Sequence, residues 1–359
     1  MKIPFFTLER QNKKIGAEIK KAISKVIDSG IYVDGPKTKE FEEKWSELNQ
    51  VKHTILTSSG TSALEMAIKC LRDNDDFLVP TNTFFASASQ IPFHLIKFID
   101  SDDSCNLDIN LLDKHDDNIN LIGVNLYSQP LDFDKLFKKI NKRKFILDAC
   151  QSAFSTYKNK PVASYCRLTA FSFYCTKIVG VFGELGCLCT NDDSLVDYIK
   201  SLRNHGRNKE GYQHDYVSGN LRGDEIQAAI LLVKLKYMSE IIEQRINTVE
   251  RYRKNLSGNS KIKLLPELSN CKVVNYVMPV FISNRDKVRD KLKQKGIDTL
   301  VHYPLCLHEQ KPFKQLASPG DFPVAENQAR TELSLPLFYE ITDSEVDVVC
   351  GVLEKLTSS

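Results

Sequence analysis

Long apolar runs are missing from this chain of 359 residues, and no uninterrupted stretch approaches the roughly 20 residues that a membrane span needs. The opening Met1-Lys2-Ile3-Pro4-Phe5 also lacks the apolar core of a secretion signal. Neither charge dominates. The 49 Lys and Arg against 46 Asp and Glu leave a net +3, too little to argue for nucleic acid or an anionic membrane as partner. Ten cysteines are present, but no Cys-x-x-Cys pair, and Cys70, Cys150, Cys187 and Cys189 sit within apolar segments. They read as reduced, mostly buried thiols rather than metal ligands or disulfides, which fits a cytoplasmic protein. No Gly-Lys-Ser/Thr follows a glycine turn and no Gly-x-Gly-x-x-Gly is found, which disfavours a Walker loop and a nicotinamide-type dinucleotide fold.

What is present is the composition of an ordinary globular protein, 42% hydrophobic and 26% charged. Ile15, Ile19, Ile23, Val26 and Ile27 recur at helical spacing over residues 12–30, with Gly30 as a stop. A charged helix is expected from about Lys37 to Leu48. Short strand candidates follow at 77–80, 95–99, 120–126, 144–148, 169–174 and 187–190, several separated by helix-like segments. This alternation predicts an α/β domain with a mostly parallel sheet covered on both faces. A long helix is expected from Asp224 through the 240s. Beyond it, Lys263-Leu264-Leu265, a strand over Val273–Val280 and a helix over 286–295 predict a smaller α+β domain. The expected division is 1–245 and 246–359. No internal repeat or low-complexity tract stands out.

One pair of residues carries chemistry. Lys177 closes the run Phe171-Ser172-Phe173-Tyr174-Cys175-Thr176-Lys177, and Asp148 ends the apolar run Lys144-Phe145-Ile146-Leu147. A lysine and a carboxylate at the ends of two buried strands suit pyridoxal phosphate. The lysine attaches the cofactor, and the carboxylate keeps its ring nitrogen protonated so that the ring accepts electrons. Ser58-Ser59-Gly60-Thr61-Ser62 joins a strand-like segment to a helix, a place where amides bind phosphate. Ser172 could reach the same phosphate, Phe84 could stack on the ring, and Gln151 could donate to the phenolic oxygen. Each of these has a bland reading when taken alone: a core serine, a packed aromatic, a helix-capping aspartate.

Taken together and in order, these segments resemble the DegT/StrS-type family of sugar aminotransferases. The likeness runs from Ser29-Gly30-Ile31-Tyr32-Val33 through Ser59-Gly60-Thr61-Ser62-Ala63-Leu64, Thr83-Phe84, Asp148-Ala149-Cys150-Gln151 and Lys177 with Gly183-Glu184. It continues through Asn220-Leu221-Arg222-Gly223-Asp224-Glu225 to His302-Tyr303-Pro304 with His308. The resemblance implies an aspartate-aminotransferase-like fold of PLP type I, with a large domain and a smaller C-terminal one. It implies pyridoxal phosphate on Lys177, with Asp148 at the ring nitrogen. Gly60, Thr61, Ser62 and Ser172 would hold the phosphate, with Phe84 and Gln151 around the ring. It further implies a homodimer with shared active sites, Asn220 reaching the phosphate of the other subunit. Tyr32, Arg222, Tyr303 and His308 would contact substrate.

L-glutamate is the expected amino donor, leaving as 2-oxoglutarate, and a nucleotide-linked keto-sugar is the acceptor. Gly183-Glu184-Leu185-Gly186 after the lysine leans toward amination at C4. The best-fitting substrate is then dTDP-4-keto-6-deoxy-D-glucose, giving dTDP-4-amino-4,6-dideoxy-D-glucose (viosamine). A GDP-perosamine synthase, a C3 aminotransferase and a non-catalytic regulatory relative are the alternatives. The chain departs from the family pattern at Asn125 and Ser128, at Arg72-Asp73-Asn74-Asp75-Asp76 and at Gly223, none of them part of the Lys177–Asp148 pair itself.

Overall fold

A computed structural model of the chain describes residues 2–71, 75–116, 118–141 and 144–358. The departure at Arg72-Asp73-Asn74 therefore lies outside the described residues. A seven-stranded sheet forms the centre, in the order His53–Thr57, Gly186–Thr190, Leu168–Ser172, Phe145–Asp148, Asn120–Val124, Phe77–Pro80, Ile96–Ile99. Gly186–Thr190 runs antiparallel to both its neighbours, and the remaining pairings are parallel. The central strands are apolar almost throughout because helices cover both faces. Ile122, Phe145, Ile146, Leu147, Leu168 and Ala170 are fully buried.

The first helix, Glu9–Ser29, buries Ile15, Ile19 and Val26 and closes at Gly30, whose φ of 67° is the left-handed conformation that glycine adopts without strain. The next helix, Pro36–Asn49, opens on a proline. The buried Glu225 carboxylate accepts from the amides of Gly35, Lys37 and Thr38 at 3.1, 2.7 and 2.7 Å, supplying the partners that a helix start lacks. Its Trp45 packs edge-on to Phe171 and Phe173 at 5.3 and 4.9 Å. The strand leading to Lys177 is thus backed by a rigid aromatic cluster.

Two expectations change. The long helix after Asp224 is two helices, Glu225–Leu235 and Met238–Leu256. The break is tightened by Lys236 N–H to Val233 O and Tyr237 N–H to Lys234 O, while Tyr237 donates its hydroxyl to Glu18 at 2.9 Å. The expected strand over Val273–Val280 is only partly a strand. Met278–Ile282 pairs with Ile262–Leu264 and Glu332–Leu335 in a small antiparallel sheet. Over 274–276 side chains take the backbone groups instead: Val274 N–H donates to Ser155 Oγ and Tyr276 N–H to Ser128 Oγ, and the buried Arg245 donates to the carbonyls of Asn275 and Tyr276. The small sheet has its own core, including Val249, Tyr252, Leu292, Leu335 and Leu353. Ile3 joins that core through Ile3 N–H to Gly296 O and Asp298 N–H to Ile3 O. No helix among the described residues is long and apolar enough to cross a membrane.

Candidate active site

Asp148 and Ser172 end adjacent parallel strands, and Thr57 ends another strand of the same sheet just before the helix Gly60–Lys69. Their carboxyl ends open onto one cavity of about 660 Å³. Gly60 is where the helix start meets the sheet. A Cβ there would lie 2.8 Å from both Cys150 Sγ and Ser172 Cβ, so only glycine lets the helix start come this close to Ser172. Ser59 caps the helix, its hydroxyl accepting from Ser62 N–H at 3.1 Å. The helix start and the Ser172 side chain lie side by side in the cavity wall, an arrangement suited to a phosphate.

Asp148 is only 5% exposed. Its carboxylate accepts from Ser87 Oγ at 2.7 Å and from Cys150 N–H at 3.1 Å, and no cation pairs with it among the described residues. A buried carboxylate bonded only to neutral donors is suited to a protonated ring nitrogen. Lys177 lies in the turn after Phe173, its Nζ 4.1 Å from the Tyr276 ring centroid, with no carboxylate partner among the described residues. Gln151 Oε1 accepts from Tyr127 N–H, and its Nε2 donates to Tyr303 Oη at 3.1 Å. Phe84, half exposed at the cavity edge, lies 5.5 Å from the Tyr303 ring. A phosphate-type helix start, a free lysine, a buried carboxylate and aromatic edges fit pyridoxal phosphate.

Of the residues singled out in the sequence, the cavity gathers Gly60, Thr61, Phe84, Asp148, Gln151, Ser172, Lys177 and Tyr303. Ser62 sits beneath the turn, its hydroxyl 2.8 Å from Ser58 Oγ and 3.0 Å from Ser59 Oγ. Three others lie outside the lining. Arg222 pairs across a bridge with Thr57 and donates to Asn220 Oδ1 at 3.1 Å, Asn220 is exposed, and Tyr32 is 48% exposed. His308 is not among the side chains that line the cavity. It is 1% exposed, Nδ1 lies 2.7 Å from Thr81 Oγ1, and its ring packs on Phe322. Its Nε2 lies 3.3 Å from Glu326 without hydrogen-bond geometry. Its expected substrate contact followed from the family resemblance alone.

The sequence reading passed over Tyr276 and His302 as site residues, and both line the cavity. Tyr276 lay inside an expected strand. Nothing local distinguishes it, because the bonds that hold it come from Ser128 and Arg245, far away in the chain.

The family described as DegT/DnrJ/EryC1/StrS aminotransferase matches residues 13–354. The dTDP-3-amino-3,4,6-trideoxy-alpha-D-glucose transaminase of Streptomyces venezuelae is 31% identical over 94% of this chain and 91% of its own length. The GDP-perosamine synthase of Escherichia coli O157:H7 is 27% identical over 94% and 95%. The solved structure of S. venezuelae DesV in complex with a ketimine intermediate superposes with a TM-score of 0.94 at 28% identity, covering 100% of this chain and 99% of that one. The fold is the PLP type I fold that the resemblance implied.

Proposed function

The chain belongs to the DegT/DnrJ/EryC1/StrS aminotransferase family and is a pyridoxal-phosphate-dependent nucleotide-sugar aminotransferase, and from that premise we propose that it moves the amino group of L-glutamate onto C4 of a nucleotide-linked 4-keto-6-deoxy sugar, through Lys177 and Asp148. The carrying observation is the convergence of the free Lys177 amine, the cation-free Asp148 carboxylate and the start of the helix Gly60–Lys69 in one cavity.

When bound, pyridoxal phosphate supplies an electron sink at the amino-bearing carbon. Lys177 would hold it through Nζ, and the same Nζ, when free, would move the proton of the reacting carbon, acting as base and then as acid. The Asp148 carboxylate would accept from the ring N–H and keep that proton in place. Gly60 and Thr61 amides and the Ser172 hydroxyl would donate to the phosphate, while Ser62 braces the turn. Phe84 would cover the ring and Gln151 Nε2 would donate to its phenolic oxygen. For amino transfer to the sugar, Lys177 Nζ would move the proton in the reverse order.

Asn220, Arg222 and Tyr32 act from the rim, Asn220 toward the phosphate held by a second copy of the chain. The exposed apolar stretch Ile27, Ile31, Tyr32 and Val33 beside them supports a homodimer with shared sites. The resemblance of Gly183-Glu184-Leu185-Gly186 to C4-acting members leans toward C4, and the proposed substrate is the dTDP-linked sugar that yields viosamine; Glu184 lines the cavity. The second reading is C3, favoured by the relative named for a 3-amino sugar. The test is incubation with L-glutamate and dTDP-4-keto-6-deoxy-D-glucose, with the product identified by NMR. A 4-amino product and 2-oxoglutarate in equal amounts are expected. A 3-amino product from a 3-keto substrate would overturn the C4 assignment, and turnover with no keto-sugar nucleotide would overturn the function.

A further inference from the structure

Glu332 is a fully buried carboxylate with no assigned work. Its Oε2 accepts from His302 N–H at 2.7 Å, and its Oε1 accepts from the Ser334 hydroxyl. Ser334 Oγ in turn lies 2.8 Å from His302 Nδ1. His302 lines the cavity, and its peptide is also held from the other side, where the Tyr127 hydroxyl donates to its carbonyl. The three side chains form a single file from the core to the cavity wall.

Hydrogen-bond direction along this file fixes the ring. An ionised carboxylate only accepts, so Ser334 must donate to it. Ser334 Oγ is then left to accept, Nδ1 must carry the ring proton, and Nε2 is left with its lone pair. We propose that Ser334 and Glu332 are positioning residues acting through His302, setting whether its Nε2 presents an acceptor or a donor to the cavity beside Lys177.

The reversal balances. A proton arriving at Nε2 releases the Nδ1 proton to Ser334, and the Ser334 proton passes to Glu332 Oε1. One proton enters and comes to rest on the carboxyl, and the imidazole is neutral at both ends of the transfer. Oε2 keeps its bond to His302 N–H throughout.

The surroundings allow both states. Burial pushes the Glu332 carboxyl up to about 7, partly opposed by Ser334, the His302 amide and Arg285. Arg285, from the helix Arg285–Gln294, donates Nη1 to the Glu332 carbonyl at 2.6 Å. The other groups sensing Glu332 are Cys105 and Tyr127, both held protonated by burial. His302 is pushed down to about 4 by burial and then by Lys177, and Tyr276 and Tyr303 are the other titratable rings against it. Near neutral pH the carboxyl therefore titrates while the ring stays uncharged.

The test is nitrogen-15 NMR of the holoenzyme labelled at its seven histidines, titrated from about pH 5.5 to 8.5 across the Glu332 transition, with His302→Gln to assign the signal. Wild type should show His302 as the Nδ1–H tautomer at high pH and as Nε2–H at low pH. In Glu332→Gln the amide oxygen must face His302 N–H, so its NH₂ donates to Ser334 and the ring should be Nε2–H at every pH. Ser334→Ala should abolish the pH-linked change. A single wild-type tautomer across the range, an imidazolium near neutrality, or Nδ1–H in Glu332→Gln would each overturn the proposal. The wild-type titration decides even if neither variant folds. The use of this switch in turnover rests on the Lys177 reading above, whereas the tautomer is read whether or not Lys177 carries the cofactor.

Discussion

The inner wall of the cavity and its outer rim are built differently. On the wall, Asp148 and Gln151 each have hydrogen-bond partners within the chain, and Gly60 packs directly on Ser172. Outside the lining, Tyr32, Asn220 and the stretch at Tyr212, Tyr216 and Val217 are exposed, with Tyr212 at 94%. The wall follows from strand ends of a buried parallel sheet, where register and packing leave little freedom. The rim follows from connecting segments whose apolar side chains find no core in one chain. On the proposed function, the wall carries the chemistry and the rim closes the site against a second copy.

The largest expected effect breaks the wall. Lys177→Ala should lower kcat by about 10,000-fold or more, the upper range for a positioned acid–base, and should leave no visible band of lysine-bound cofactor. Asp148→Asn keeps the shape and removes the charge opposite the ring nitrogen. Steady-state kinetics should show a fall of about 100- to 1,000-fold in kcat, with the cofactor still bound.

Smaller effects compare wall and rim directly. Ser172→Ala removes a hydrogen bond to a charged group, about 1.5–3 kcal/mol, and should raise the cofactor Kd by about 10- to 100-fold in fluorescence titrations. Asn220→Ala should weaken cofactor binding by about 10-fold, and only at concentrations where sedimentation shows the dimer. An equal effect in a monomeric sample would place Asn220 within its own subunit's site.

The smallest effect lies away from both wall and rim. Arg10, near the start of the helix that leads to Tyr32, pairs with the 4%-exposed Glu345 at 2.6 Å. The Arg10 hydrogen bond holds the Glu345 carboxyl down at about 2. A lowered carboxylate stabilises the fold above its unfolded value near 4.5, and that stability is lost as pH falls from there through about 2. Glu345→Gln should cost about 1–2 kcal/mol at pH 7 in denaturant melts, since Arg10 is a third exposed, and the gap should close toward pH 2. Turnover should stay unchanged.

Much of the wall was legible in the sequence because its signals are local. Lys177, Ser172 and Asp148 sit at fixed offsets from apolar strands, and Gly60 opens a helix right after one. The strands at 77–80, 120–124 and 145–148 were legible for the same reason. What escaped is long-range. Tyr276 is held by Arg245 and Ser128, and His302 by Glu332, Ser334 and Tyr127. No spacing within one segment announces such bonds. His308 was named through the family resemblance, and its ring packs on Phe322 and bonds Thr81, away from the lining. The helix break at Lys236-Tyr237 answers to Glu18 on the first helix, which periodicity within residues 224–256 cannot register.

The most direct test of the central claim is the visible absorption spectrum of the purified protein with pyridoxal phosphate, before and after L-glutamate, for wild type and Lys177→Ala side by side. Wild type should bind the cofactor with a visible band, and glutamate should convert this to the amine-form spectrum with one 2-oxoglutarate per site. Lys177→Ala should show neither change. The same conversion in Lys177→Ala, or no visible band in wild type, would contradict the assignment of Lys177 and the function built on it.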